Sequence, residues 1–346
     1  MAGLSNHLMA VTVLAYLLAM VLYAAEYAFG DKGRIGRAAS APARRLVGVT
    51  AAASSTDSSS AAFPALPGES VQDEVAVEDL PPVVVVEPPA RSAADWAGLT
   101  AVGVNVLGLL LHLGALATRG LAADRMPWGN MYEYILSATF VGSAVWVGVL
   151  LRRPSLRHLG LFSSLALVVL LGAAALVAYT PVGPLVPALH SYWFVIHVST
   201  VIIGSGIFLI GAVPALMFLI KNGYDEGRRT FPYTLGKRVL TPAVVLERLT
   251  FRLHAFAFPL FTFGALIAGP LWAEASWGRY WGWDPKEVWA FISWIVYAAY
   301  LHARATPSVK RTVATWIALL GFVTMLMNLF GVNLFFEGLH SYANAG

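Results

Sequence analysis

The sequence predicts an all-α polytopic membrane protein of about eight transmembrane helices, with both termini external. Hydrophobic residues make up 58% of the 346-residue chain and charged residues only 12%, where soluble domains carry about a quarter. Mean hydropathy is +0.68. The apolar residues gather into eight runs of spanning length, 8–29, 96–117, 130–151, 159–179, 192–220, 251–272, 287–303 and 312–335. The basic residues between those runs segregate to one side. With the linker after the first run on the cytoplasmic side, only Arg119, Arg125, Arg279 and Lys286 of the 23 basic residues fall outside.

The first run has no Lys or Arg before it and no small-residue cleavage site after it, so it reads as a retained helix and not a signal peptide. Residues 31–95 open basic, become Ala/Ser-rich and then acidic and Pro-rich, with too little apolar periodicity for a core. They read as a disordered cytoplasmic linker. The chain thus divides into a first helix (1–30), the linker (31–95) and a seven-helix membrane domain (96–346) with an external Trp-rich segment at 272–289. A net charge of +4 and a pI near 9.3 do not imply nucleic acid, because the basic residues form no single patch. The absence of cysteine excludes disulfides, a thiolate nucleophile and Cys metal sites.

The segment from Trp272 organises the rest. Trp272, Trp277, Trp281, Trp283 and Trp289 crowd together, with Gly278 and Gly282 spacing the rings. Asp284-Pro285 is a strong helix start, since Asp accepts orphan N–H groups and Pro loses nothing in the first turn. An interfacial Trp belt is common in membrane proteins. It does not explain an Arg and an Asp embedded in W-G-R-Y-W-G-W-D, which suits a platform for a planar macrocycle bearing carboxylates. Arg279 or Lys286 could meet such a carboxylate, or both are simply solvated.

His190, His197 and His340 fall near the outer face at the level of this segment. Imidazoles from two elements could ligate both faces of a haem iron, but spacing alone equally allows plain interfacial residues. His302 lies toward the cytoplasmic end of the seventh run, where an ionisable group is expected to face the bundle interior; the alternative is that it reaches the inner interface beside Arg304. His254 enters near the same face and could pair with it, though a lone interfacial position is also open.

The stretch W-G-R-Y-W-G-W-D-P-K-E-V-W, together with N-M-Y-E at 130–133, L-V-P-A-L-H-S-Y-W-F-V-I-H-V at 185–198, Y-L-H-A-R at 300–304 and G-L-H-S-Y at 338–342, resembles the CcsA/ResC branch of the WWD haem-handling superfamily, whose actinobacterial members are often labelled CcsB. The resemblance runs from residue 96 to the end. It implies a membrane component of the system II cytochrome c synthase, which carries haem b from the cytoplasmic side and presents it externally for attachment to the CxxCH of apocytochrome c. His197 and His340 correspond to the axial ligands of the external haem, His302 to an intramembrane ligand, and Trp277, Trp281, Trp283 and Asp284 to the signature. The implied partners are a ResB-type membrane subunit, apocytochrome c and plasma-membrane lipid. Whether the chain alone is an enzyme stays open. A haem exporter of the same superfamily without ligation activity, or a b-type electron-transfer cytochrome, are the alternative readings.

Overall fold

The computed structural model describes residues 1–29, 92–239 and 241–340. Among the described residues eight long helices form and no strand occurs. They are α1 (Ala2–Phe29), α2 (Ala93–Ala123), α3 (Met131–Arg152), α4 (Gly160–Val177, entered through a 3-10 turn at Pro154–Leu159), α5 (Tyr192–Asp225), α6 (Ala243–Trp277), α7 (Pro285–Ala305) and α8 (Arg311–Phe335). Seven have the length and apolarity of a membrane span. The exception is α7, whose 21 residues give about 30 Å of length, but whose hydropathy is lowered by charged ends and by its Trp and Tyr residues.

The linker expected at 31–95 lies outside the described residues except at its end, where the expectation needs correction. Ser92 is the N-cap of α2 and makes a capping box with Asp95, so helix begins before Trp96. The local S-A-A-D pattern provides the reciprocal bonds. Similarly, α6 continues past residue 272 to Trp277, so Trp272 and Trp277 are helical and only Gly278 to Asp284 is loop.

The bundle is built around α5. Of its apolar window 83% is buried, against 28–50% for the other spans. Around it, α3, α6 and α8 pack directly, α7 lies between α6 and α8, and α1 pairs with α2 and α4. Without hydrophobic gain in lipid, such helices associate through close packing at small residues. At the α3–α5 crossing a Cβ on Gly206 would stand 2.5 Å from the Ala138 carbonyl oxygen, so only Gly fits.

Charged clusters clamp both ends. At one end, Arg157 of the 3-10 turn pairs with Glu26 of α1 and with Asp95 of α2, the latter at 2.8 Å. On the same side Arg304 pairs with Glu247. At the other end Glu133, fully buried at the start of α3, takes Arg119 at 2.8 Å, Arg125 at 2.7 Å and the Gly129 N–H at 2.7 Å. Arg119 also donates to the Thr180 carbonyl after α4. This triad fixes the turn that carries Trp128 to Met131. Glu133→Ala would leave Arg119 buried and unpaired, a loss of about 3–5 kcal/mol; the expected result is a lower thermal unfolding midpoint in detergent, and an unchanged midpoint would contradict it.

Candidate functional site

At the Glu133 end of the bundle, α3, α5, α6, α7 and α8 enclose a partly open cavity of about 230 Å³. Its wall includes both His197 and His340, which are far apart in sequence. His197 stacks on the Trp272 indole with centroids 5.4 Å apart and planes inclined by 16°. His340 meets the same indole edge-on at 5.3 Å, and Trp277 at 5.0 Å. Trp272 is itself pinned, its Nε1–H donating to the Ala188 carbonyl at 2.9 Å.

Each imidazole is held through Nδ1. In His197 that nitrogen lies 2.8 Å from the Gly264 carbonyl oxygen. Gly264 belongs to a π-helical stretch of α6, Phe263–Ala268, and its carbonyl also accepts the Gly269 N–H. Such π turns often occur at functional sites. In His340, Nδ1 lies 2.8 Å from Oδ1 of Asp284. A carbonyl and a carboxylate only accept, so Nδ1 carries the proton in both rings. In the neutral rings Nε2 therefore keeps its lone pair, the tautomer a metal ligand needs.

Asp284 is the hub of this arrangement. It is the N-cap of α7, with Pro285 following and Glu287 closing a capping box, as its dipeptide predicts. Its other oxygen accepts the Leu339 N–H at 2.6 Å, so one carboxylate both starts α7 and ties down the strap after α8. Gly338 is required there, because a Cβ would come within 2.4 Å of Asp284 Oδ2. Burial by itself would raise the Asp284 pKa. The bonds and charge of His340 and the N–H groups of Lys286 and Leu339 outweigh it and hold the carboxyl below its ordinary value. The folded state thus favours the ionised form, and the strap's anchorage is present above the ordinary value near ~3.9 and lost as pH falls through the lowered one.

The remaining signature residues separate. Trp281 lines the cavity, with Nε1 buried and without a hydrogen-bond partner. Trp283 does not line it: the residue is 69% exposed and its φ is +56°, a conformation costly for a bulky side chain. That turn is held because Glu287 accepts both the Gly282 and the Asp284 N–H, at 2.8 and 3.1 Å. Of the tryptophans expected there, Trp272 and Trp281 line the cavity, Trp277 packs on Trp272 and His340, and Trp283 turns outward.

The other histidines stay apart from this cavity. His190 is exposed. His254 is buried among Phe208, Tyr297 and Tyr300, while His302 is exposed on α7. The expected inward face for His302 is corrected, and His254, for which pairing with His302 and a lone interfacial position were both open, is buried among aromatic rings instead. Tyr300 takes the inward position, and two residues on along a helix is roughly 200° around its axis. The cations separate too, with Arg279 exposed and Lys286 on the cavity wall. Sequence reasoning did not find Trp272 as the ring shared by both imidazoles, nor Asp284 as the clamp of His340. The N-cap signal at Asp284 was visible, but nothing local marks a partner so far along the chain.

Residues 128–340, which contain every element of this cavity, match the family of cytochrome C assembly proteins. The chain belongs to that family. Among its relatives are proteins named cytochrome c biogenesis protein CcsA. The one from Guillardia theta is 34% identical over 263 residues, covering 69% of this chain and 84% of its own. Those from Gloeobacter violaceus and Synechocystis are 32% and 31% identical, covering 69% and 71% of this chain and 85% and 89% of theirs. The match of this cytochrome c assembly protein runs from the Trp128 turn to His340, so both walls of the cavity fall within it.

If Asp284 anchors the strap as described, Asp284→Asn leaves one of the two strap donors facing an amide N–H. Hydrogen exchange of the peptide containing Leu339 should then speed up by roughly ten- to a hundredfold at neutral pH. Exchange as slow as in the parent would contradict the clamp.

Proposed function

We propose that this chain is the haem-presenting membrane component of a system II cytochrome c synthase, acting with a ResB-type subunit at the plasma membrane. A role in cytochrome c biogenesis comes with the family. The observation that carries the finer reading is the convergence of His197 and His340 on one aromatic cavity, each ring held by an acceptor at Nδ1. The donor set fits haem b: two imidazoles with lone pairs for the iron, indoles for the macrocycle, and a cation on the wall.

In this reading the cavity end of the bundle faces outward, and the charge asymmetry of the loops supports that orientation. Haem held there would supply vinyl groups to which the thiols of an apocytochrome CxxCH would add, sulfur to one carbon and the thiol hydrogen to the other, with no leaving group or redox change. The sulfurs belong to the acceptor, in keeping with a chain that has no cysteine. This chain's own residues position and protect. His197, braced by the Gly264 carbonyl, is the fixed ligand, since it sits inside α5. His340 rides on a short strap, so it is the ligand that can yield to the histidine of CxxCH. Trp272 packs against both rings, and Trp277 against His340.

His302 fits a second role. Its imidazole is exposed in the last turn of α7, beside Arg304, and is not spent on the bundle's own packing. Its outward position supports an intramembrane haem site completed by a residue of the ResB-type partner. Haem taken there from the cytoplasmic side would then pass to the external cavity. The electron-transfer alternative needs histidines facing one another inside the bundle, and among the described residues His254 and His302 do not meet.

His197→Ala and His340→Ala should each abolish cytochrome c maturation in cells coexpressing the ResB-type partner, with the protein still membrane-inserted. Normal holocytochrome levels in both variants would overturn the ligand assignment. For His302→Ala, the purified complex should lose its intramembrane haem, and with it the external haem supplied through that site. An undiminished Soret band would count against that role.

A further inference from the structure

We infer that Lys286 and the Trp281 indole form a carboxylate-binding subsite in the cavity wall, which fixes the rotation of the macrocycle between the two imidazoles. The inference rests on the haem reading above and assigns one end of that ligand.

Lys286 is the sole Lys or Arg among the described residues that line the cavity. Its Nζ donates to the Asn328 carbonyl at 3.2 Å, within the π-helical stretch Met327–Gly331 of α8. It makes no ion pair among the described residues. An ammonium has three donors, so one carbonyl leaves hydrogens free in a largely apolar wall. Trp281 adds an independent sign. Its Nε1–H is buried without an acceptor on the same wall, which is costly unless something brought to the site accepts it.

The one carboxylate on that wall, Glu287, is spent on the Gly282 and Asp284 N–H groups and relieves neither donor. A ligand carboxylate at Lys286 would make a charge-assisted bond there, and the Trp281 N–H offers a further donor on the same wall. Arg279, which the sequence offered equally well, is exposed and folds over Gly282 on the outside of the loop. It is therefore no part of the subsite. Because Lys286 follows Asp284-Pro285 in the first turn of α7, the same capped turn that holds His340 also aims the cation. The direction of the cation and the position of His340 are thereby set by one turn of backbone.

The test compares iron protoporphyrin IX with its dimethyl ester, titrated into the full-length protein in detergent. The unmutated protein should bind the diacid roughly ten- to a hundredfold more tightly than the ester. Lys286→Met should bring the diacid to the ester's affinity, and Arg279→Gln should leave the preference intact. Equal binding of diacid and ester by the unmutated protein overturns the subsite while leaving the haem reading standing. So does a preference that survives in Lys286→Met. Failure to bind either porphyrin counts against the haem reading itself. Loss of the diacid preference on adding an anionic phospholipid, with ester binding unchanged, would assign the subsite to a lipid headgroup and overturn the proposal. Should Lys286→Met fail to insert, the ester comparison on the unmutated protein still decides.

Discussion

The position of the chain's C-terminal histidine depends on one carboxylate. Asp284 accepts from Lys286 N, His340 Nδ1 and Leu339 N, so the start of α7 and the strap beyond α8 are parts of one structure. If this hub were apolar, α7 would lose its cap and His340 would be free of the Trp272 and Trp277 edges it packs against. A buried, fully used carboxylate is a demanding device in a membrane protein. It is satisfied here because Gly338 brings the strap's backbone close enough and the N–H groups of a helix start face it.

A second device recurs on the other walls. Two helices each carry a π-helical stretch beside the cavity, Phe263–Ala268 in α6 and Met327–Gly331 in α8. In each, a main-chain carbonyl takes a bond from a side chain of another helix, Gly264 from His197 and Asn328 from Lys286. A regular α-helix engages its carbonyls with its own N–H groups and turns them along its axis. An inserted residue re-aims one of them. The cavity's polar groups are thus held largely by backbone, which lets the surrounding side chains stay apolar and aromatic.

Much of this was legible in the sequence, for reasons that are local. Apolar runs and charge asymmetry need only composition, so the eight helices and their order could be read directly. The N-cap at Asp284 and the C-terminal half of the Trp segment follow from neighbouring residues. What could not be read depends on rotation or on distance along the chain. Trp283 looks equivalent to Trp281 in a string, yet a left-handed φ turns it away from the cavity. His302 and Tyr300 differ by two positions and face opposite ways. Arg279 and Lys286 were indistinguishable as cations until the loop's direction was known. The pairing of Asp284 with His340 is a tertiary contact with no sequence period to betray it. Ser92 and Asp95, taken as the end of a linker, are a capping box, a pattern that composition hides.

The central claim is that His197 and His340 can share one iron across the Trp272 cavity. The most direct measurement is low-temperature electron paramagnetic resonance of the purified protein loaded with ferric haem. The account predicts a low-spin signal of bis-imidazole ligation that is lost in His197→Ala and in His340→Ala alike. A low-spin signal that persists in both variants, or a high-spin signal in the unmutated protein, would contradict it.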